Sequence, residues 1–299
     1  MDNIASVQMI QNYIKEHLAD VDFSVDKLCL EVGYSRRQID RLFKKYFGKT
    51  LSDYINAVLL SKGAEALANT NQSVLDIALN HHFQTHEGFT RSFSKRFHLT
   101  PNEYRAKGIA IPLFIQYPIS HYHILKENEE ALKMSSELKL CMITPKERPG
   151  RKLIYLPSKN AKGYLSYCEE KGCEWEGLLG SISEKMDLPA LIELPDFLVE
   201  EGFSKVAAGV EVPLDYDKPI PEGYKVAELE ECIMLYFQTE PYDNPDEFPQ
   251  AIEGAYEALK KYNPSIYGYE FAYDIAPSFN FGAEPEWGAK IAVPVKTVD

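Results

Sequence analysis

One stretch of this chain occurs twice. The residues from Ser24 to Gly48 return in altered form from Ser73 to His98, first at an offset of 49 residues and then, after one extra residue in the second turn, at an offset of 50. At the second offset Arg41 meets Arg91. A repeat of this kind is one structural unit used twice, so the first part of the chain is expected to fold as two similar units.

Each copy has the pattern of a helix, a tight turn and a second helix. In the first copy Gly33 can supply the positive φ of the turn, and the apolar residues after it fall at helical spacing. The opposite stripe of the second helix is polar and largely cationic, comprising Arg37, Asp40, Arg41 and Lys44. A lone cationic stripe is more often a solvated face. Arginine, however, can also donate two hydrogen bonds to O6 and N7 of a guanine in the major groove. Duplication of the whole unit favours DNA binding.

These residues resemble the AraC family of bacterial transcription regulators. The resemblance covers about residues 5 to 107 and rests on the motifs GYS at 33–35, RLFKKYFG at 41–48, DIAL at 76–79, FTRSFSKRF at 89–97 and TPNEYR at 100–105. It implies an all-α DNA-binding domain in which a linking helix holds two helix-turn-helix units. It also implies double-stranded promoter DNA as a partner, together with RNA polymerase.

The same resemblance implies which residues meet DNA. The base-facing positions fall on Arg37, Asp40 and Arg41 in the first unit and on His86, Glu87, Thr90 and Arg91 in the second. Further contacts are expected from Arg36, Lys44, Lys45 and Lys95. The sequence departs from the family at His82, where Gly is usual. Because a non-glycine residue at positive φ is uncommon, the second turn is expected to be strained or slightly reshaped. The sequence departs again in the linking helix, which lacks the family's arginine run after Ile55.

The charge of the chain is divided unevenly. Its net charge is −13, which by itself argues against a nucleic-acid partner. Residues 1–107, however, contain 14 Lys and Arg against 12 Asp and Glu, whereas the remainder contains 18 against 33. The acidic part is therefore expected to lie away from a duplex, and DNA binding is expected to depend weakly on salt.

Length and pattern predict two domains. The chain has 299 residues, of which 45% are hydrophobic and 26% charged, as in soluble globular proteins. We assign residues 1–107 to the DNA-binding domain, 108–137 to a linker that could contain a short helix or a loose tether, and 138–299 to a second domain. The sequence shows neither a secretion signal nor a run of about 18 apolar residues, which favours a cytoplasmic location away from membranes.

From Leu138 the pattern changes to short strands. The runs KLCMIT, RKLIYL, SKVAAGVEVP, ECIMLYFQ, YGYEFAYD and AKIAVPV are rich in β-branched and aromatic residues. Helical spacing interrupts them at roughly 174–186 and roughly 245–262. The sequence therefore predicts an α+β domain, an antiparallel sheet with two helices.

The second domain resembles the GyrI-like small-molecule-binding modules that also occur in multidrug-responsive regulators. The resemblance covers about residues 138–297 and rests on YCEEKGCEWEGLL, AAGVEVPLDY, IPEGY, FQTEPYD and YGYEFAYD. It implies a cleft between two sheet halves that accepts a lipophilic or cationic effector, with an acidic residue at its floor. Aromatic faces and a carboxylate suit such a ligand, and the candidate residues are Glu270, Glu211, Trp175, Tyr236 and Tyr269.

Other classes of function find less support. The five cysteines show no metal-ligand spacing, and the sequence predicts no cofactor. No Ser, Cys or His constellation predicts nucleophilic chemistry. The leading prediction is a ligand-responsive transcription regulator, an activator by resemblance, and not an enzyme. Hydrolysis of a reactive small molecule by Glu270, or sequestration of a toxic one, is the alternative.

Overall fold

The chain divides into two compact units, Met1–His123 and Ile124–Asp299. The computed structural model describes residues 3–120 and 140–298. The first unit is helical and the second is an antiparallel sheet with helices, so the predicted fold class is confirmed.

Seven helices occupy residues 3–107. They are α1 (Asn3–His17), α2 (Val25–Val32), α3 (Arg36–Phe47), α4 (Leu51–Asn69), α5 (Val74–Asn80), α6 (His86–Phe97) and α7 (Pro101–Lys107). The pairs α2–α3 and α5–α6 are the two helix-turn-helix units that the repeat predicts, and α3 and α6 each contain 12 residues.

Helix α4 joins two hydrophobic cores. Tyr54, in its first half, is buried with α1, α2 and α3, whereas Leu67, near its end, is buried with α5, α6 and α7. Between them, Gly63 lets the helix approach α6 so closely that a Cβ atom would lie 2.9 Å from Cε2 of Phe89. The two helix-turn-helix units therefore pack on one shared helix.

Part of the predicted linker packs on the first unit. Ile111 and Ile119 are buried in the two helical cores. Gln11 of α1 holds the segment by donating a hydrogen bond to the carbonyl of Tyr117 and accepting one from the N–H of Ile119, each 2.9 Å long. Residues 121–137, for which a helix or a tether was predicted, lie outside the described residues.

The second unit is built on one sheet. Its strands are β1 (Cys141–Arg148), β2 (Arg151–Pro157), β3 (Ala190–Glu193), β4 (Val206–Pro213), β5 (Lys225–Leu229), β6 (Cys232–Thr239), β7 (Tyr269–Phe271), β8 (Ser278–Glu284) and β9 (Gly288–Thr297). Its helices are α8 (Tyr164–Lys171), α9 (Glu174–Gly180) and α10 (Phe248–Lys261). The strand order is β1-β6-β9-β8-β3-β4-β2-β5, with β7 paired to the end of β9, and every pairing is antiparallel.

Several of these elements differ from the sequence prediction. Strands β3, β5 and β8 and helix α8 were not predicted. β3 and β5 are only 4 and 5 residues long, and a register shift between Asn280 and Ala283 interrupts the alternation of β8. The helix predicted over roughly 174–186 ends at Gly180. The run YGYEFAYD forms a strand only over Tyr269–Phe271.

The two faces of the sheet carry different cores. Alternate residues of a strand point to opposite faces, and in β6 Leu235 and Phe237 pack under α10. Met234 and Tyr236 point to the other face, where they join a core that includes Leu153 of β2. The face under α10 is called the helical face below, and the one that carries Tyr236 is called the open face.

Candidate nucleic-acid interface and effector cleft

The first recognition helix, α3, is fixed at its start and along one side. The Ser35 hydroxyl accepts a hydrogen bond from the N–H of Gln38, and the Gln38 side chain accepts one from the N–H of Ser35 at 3.0 Å. This capping box satisfies N–H groups that a helix start leaves unpaired. Ile39 and Phe43 are fully buried, so the opposite side of α3 must face outward.

The outward side of α3 carries cations. Arg37, Arg41 and Lys44 are exposed, and their side chains make no ion pair or hydrogen bond with residues 3–120 or 140–298. Arg36 donates a hydrogen bond from Nη2 to Oγ of Ser52 at 2.9 Å. Lys45 lies over the ring of its neighbour Tyr46, with 4.9 Å from Nζ to the centroid. Three cations of α3 are thus free to bind an external anion.

Asp40 does not share this role. Its Oδ1 accepts a hydrogen bond from the N–H of Leu51 at 3.0 Å, and its side chain is half-buried. The N–H of Leu51 is the first of α4, and a carboxylate is stabilised at that helix end. Asp40 therefore holds α3 against the start of α4, and its base-facing role stays a prediction.

The second recognition helix, α6, presents a mixed surface. Thr85 caps it by accepting a hydrogen bond from the N–H of Gly88 at 3.0 Å. Glu87 and Arg91 are exposed, as is Lys95, and His86 is half-buried at the first helical position. This helix can therefore offer both a carboxylate and a guanidinium, unlike α3.

Thr90 is half-buried on α6. Its Oγ1 atom is buried and has no hydrogen-bond partner among the residues described. The base-facing role of Thr90 stays a prediction.

The turns of the two helix-turn-helix units differ in length. Residues 33–35 join α2 to α3, whereas residues 81–85 join α5 to α6. Gly33 has φ of 70°, and His82, its counterpart in the repeat, has φ of 61°. The second turn is therefore reshaped, and its non-glycine residue at positive φ has a local conformational cost that Gly33 avoids.

A cleft of about 800 Å³ opens on the helical face of the second unit, where β3 pairs with β8. Ile291 and Val293 of β9 and Leu259 of α10 form part of its apolar wall. Two tyrosines, Tyr256 and Tyr273, line it while 44% and 48% exposed. The volume falls within the range of small-molecule pockets, which is roughly 300–1,000 Å³.

Carboxylates surround this cleft but do not form its floor. Glu193 and Asp274 line it, are exposed, and make no ion pair with another described residue. Asp196 also lines it and pairs with Lys205 at 2.6 Å. Partial burial raises the pKa of Tyr273, and the nearby charge of Glu193 raises it further. Glu193 and Tyr273 are therefore close enough to act on one ligand.

Glu270 lies away from this cleft. It is on the short strand β7, its side chain is 49% exposed, and it forms an ion pair of 2.8 Å with Lys296. Strand β7 adds to the end of β9 and leaves the Glu270 side chain in solvent. The structure thus places the favoured acid outside this cleft.

Glu211 is buried but already neutralised. Its Oε1 is 2.5 Å from Nε of Arg151, and its Oε2 is 3.6 Å from Nε of Arg148. Arg151 is 0% exposed, Glu211 3% and Arg148 9%. This carboxylate serves two buried arginines, and it does not line the cleft.

The predicted aromatic residues are dispersed. Tyr236 lies on the open face, where its hydroxyl bonds with Arg148 and donates to Oδ2 of Asp187 at 3.0 Å. Trp175 is buried edge-to-face against Tyr167 at 6.0 Å. Tyr269 packs half-buried beneath α10. Of the predicted effector residues, the structure joins only Tyr236 and Glu211 in one cluster, through Arg148.

The carboxyl of Asp187 stays charged inside that cluster. Burial acts to raise its pKa, but the hydrogen bond from Lys290 at 2.6 Å, the charge of Lys290 and further bonds from Leu188 and Tyr236 hold the pKa below its usual value. Sequence reasoning missed Asp187 because it lies in a loop without a recognisable motif. It missed the cleft residue Glu193 because the short strand β3 carries no strong pattern, and it passed over Tyr273, although this residue lies in the predicted strand run YGYEFAYD, because nothing local distinguished it from Tyr269.

No group of three or more His, Cys, Asp or Glu side chains in residues 3–120 and 140–298 could hold a metal ion. In the same residues, no helix has the length and apolar character needed to cross a bilayer.

The first unit defines a protein with paired helix-turn-helix motifs, and comparison with known proteins agrees. The family described as "Helix-turn-helix domain" matches residues 28–107. "Transcriptional regulator Rob" of Salmonella typhimurium is 38% identical over 119 residues, which are 38% of this chain and 41% of that protein. "Probable transcription factor PqrA" of Proteus vulgaris is 37% identical over 84 residues, which are 28% of this chain and 69% of that protein. The chain belongs to the AraC-type helix-turn-helix family.

These similarities concern the helical unit. The match spans about two fifths of the length of Rob. A solved structure titled "The structure of SAV2435 bound to TETRAPHENYLPHOSPHONIUM" covers 52% of this chain and 94% of its own, with 15% identity and a TM-score of 0.36.

Proposed function

We propose that this protein is a sequence-specific DNA-binding transcription regulator. The observation that carries the proposal is the duplication of a helix-turn-helix unit with Arg41 and Arg91 exposed at equivalent places of α3 and α6, each free of partners among the described residues. The names of relatives such as Rob and PqrA support it. Activation through RNA polymerase stays a prediction.

The chemistry of the two helices favours different base pairs. Arg37 and Arg41 on α3 can each donate two hydrogen bonds to a guanine in the major groove. On α6, Arg91 can do the same, whereas Glu87 can accept from the N4 amino group of cytosine. We therefore propose an asymmetric operator, with one half read by arginines alone and the other by a carboxylate as well.

The proposal is tested with DNA selected from a random pool by the parent protein. Arg41→Ala should weaken binding to the selected site by about 1–3 kcal/mol and relax the preference at one base pair, as measured by fluorescence anisotropy. Lys44→Ala is the matched control, because it removes one charge from the same face and should weaken all sequences alike. Equal affinity of the Arg41→Ala variant and the parent for the selected site contradicts base reading by Arg41.

We further propose that the cleft of the second unit takes a lipophilic cation as effector. Support comes from two half-exposed tyrosine rings beside Glu193, whose carboxylate has no ion-pair partner in the described chain. A cation over an aromatic ring gains about 0.5–2 kcal/mol. The ligand's charge would meet Glu193 while its apolar body covers Ile291 and Leu259.

Tetraphenylphosphonium and tetraphenylborate test this proposal, because they have the same shape and opposite charge. The phosphonium ion should raise the thermal midpoint, since a ligand that binds only the folded state stabilises it. Glu193→Gln should remove most of that rise, whereas Glu270→Gln, which removes a carboxylate outside the cleft, should keep it. An equal rise with both ions, or no change on Glu193→Gln, contradicts the charge role.

A further inference from the structure

The open face of the sheet holds three cations around the ring of Tyr236 and a fourth that pairs with Glu211. They are Lys146 and Arg148 of β1, Arg151 of β2 and Lys290 of β9, and we call them the cationic cluster. The distances to the centre of the Tyr236 ring are 4.6 Å from Lys146 Nζ, 5.6 Å from Arg148 Cζ and 5.7 Å from Lys290 Nζ.

Two carboxylates only partly balance these charges. Asp187 accepts from Arg148 at 2.9 Å and from Lys290 at 2.6 Å. Glu211 pairs with Arg151 and, at a longer distance, with Arg148. Lys146 makes no ion pair within residues 3–120 and 140–298, so the cationic cluster keeps an excess of two positive charges over its carboxylates.

This excess occurs in the acidic part of the chain. Residues 108–299 contain 18 Lys and Arg against 33 Asp and Glu. Arg148, Arg151 and Lys290 are 9%, 0% and 15% exposed and outnumber the carboxylates of Asp187 and Glu211 by one, and an unbalanced charge in a largely buried place costs free energy. Lys146, by contrast, is exposed. An external anion bound beside Lys146 would offset part of the excess positive charge.

A cavity of about 300 Å³ opens beside the cluster. It is lined by Lys146, Tyr236 and the apolar side chains of Leu140, Met142 and Pro241, with Thr144 and Gln238 as polar neighbours. Glu240 also lines it and is exposed. Even when Glu240 is included, the cations exceed the carboxylates by one.

The geometry points to a binding site for a small organic carboxylate, separate from the cleft of the proposed effector. The carboxylate would accept hydrogen bonds from Lys146, and the apolar body would lie against Met142 and Pro241. Tyr236 cannot supply a free hydroxyl, because that group is held between Arg148 and Asp187. Its ring instead forms a wall, stacked on Phe281 with 6.1 Å between centroids. The site does not depend on DNA binding.

The size of the cavity sets the size of the ligand. About 300 Å³ is the lower limit for small-molecule pockets, which suits a single ring or a short chain with one charged group. Benzoate, benzamide and benzylammonium share one ring and carry negative, zero and positive charge. Comparing the three separates recognition of the charge from recognition of the ring.

Isothermal titration calorimetry on the full chain provides the test. The parent should bind benzoate at least about tenfold more tightly than benzamide, since hydrogen bonds to charged groups are stronger than those between neutral ones. Benzylammonium should bind no better than benzamide. Lys146→Gln should reduce benzoate affinity about tenfold and leave benzamide unchanged.

The control is Lys260→Gln on α10. Lys260 is 78% exposed and belongs to the helix that covers the other face of the sheet, so its loss removes the same charge without touching the cavity. Benzoate affinity should be kept in this variant. Equal binding of benzoate and benzamide overturns the proposal, and so does an equal loss in the two lysine variants. Binding of inorganic phosphate in preference to benzoate overturns the assignment to an organic carboxylate. DNA affinity is measured separately, and it affects neither the comparison of the three ligands nor that of the two lysine variants.

Discussion

Removing the charge of Glu211 should destabilise the second unit severely. Glu211→Gln leaves Arg151, which is fully buried, without a carboxylate, and leaves Arg148 with Asp187 alone. Two unit charges at about 4 Å attract by about 4 kcal/mol at an effective dielectric constant near 20. Breaking a buried pair by removing one partner costs about 3–5 kcal/mol, and we expect a loss of this size.

Tryptophan fluorescence during urea unfolding measures this loss selectively. The chain has two tryptophans, Trp175 and Trp287, and both belong to the second unit. With an m-value of about 2 kcal/mol per molar urea, the unfolding midpoint should fall by about 1.5–2.5 M. Glu270→Gln is the matched control, because its ion pair with Lys296 is half-exposed and solvent screens such pairs. Its midpoint should stay close to that of the parent.

The result that would refute this reasoning is a midpoint for Glu211→Gln no lower than that of Glu270→Gln. If Glu211→Gln does not fold, the double variant Arg151→Met, Glu211→Met decides the question. Replacing both members of a buried pair by apolar residues is often neutral or stabilising, so the double variant should fold and recover most of the loss. A double variant as unstable as the single one would show that the charge balance is not the cause.

Three further predictions concern the first unit. Asp40→Ala should lower the thermal stability of the first unit by about 0.5–2 kcal/mol, because the N–H of Leu51 loses its acceptor. The preference for particular base pairs should stay unchanged. Altered base preference with unchanged stability would show instead that Asp40 reads a base. Gly63→Ala should lower the free energy of unfolding by about 1–3 kcal/mol, because the new Cβ atom would lie 2.9 Å from the Phe89 ring. An unchanged thermal midpoint would mean that α6 shifts to accommodate the methyl group without cost. His82→Gly should stabilise the first unit by up to about 1 kcal/mol, because glycine adopts positive φ without strain. A lower thermal midpoint would show that the contacts of the imidazole stabilise the unit by more than the backbone strain destabilises it.

The helical unit could be predicted largely from its sequence. Its signals are local: a capping residue, a turn residue at positive φ and apolar spacing all act within one repeat of the chain. Because the repeat occurs twice, each copy supports the interpretation of the other. Arg41 and Arg91 are exposed as this pattern implies.

The local sequence did not determine which polar side chains of those helices face outward. Asp40 occupies a position on the predicted outward stripe, yet its carboxylate accepts a hydrogen bond from the N–H of Leu51, 11 residues later. Thr90 is a base-facing position by resemblance, yet its hydroxyl is buried. A stripe drawn from helical spacing does not show which neighbouring helix lies at its edge. Only the packing of α3 and α6 on α4 decides that.

The sheet unit shows the larger gap between sequence and structure. Its α+β character follows from the sequence, because strand runs and helical runs differ in period. The identity of the cleft does not, because Glu193 of β3, Tyr256 of α10 and Tyr273 after β7 come from distant parts of the chain. They meet through strand pairing, such as that of β3 with β8, and through the packing of α10 on the sheet. The burial of Glu211 and the exposure of Glu270 were likewise decided by neighbours across the sheet. Strand pairing is a non-local interaction, so tertiary structure alone determined which carboxylates face a ligand, a buried arginine or solvent.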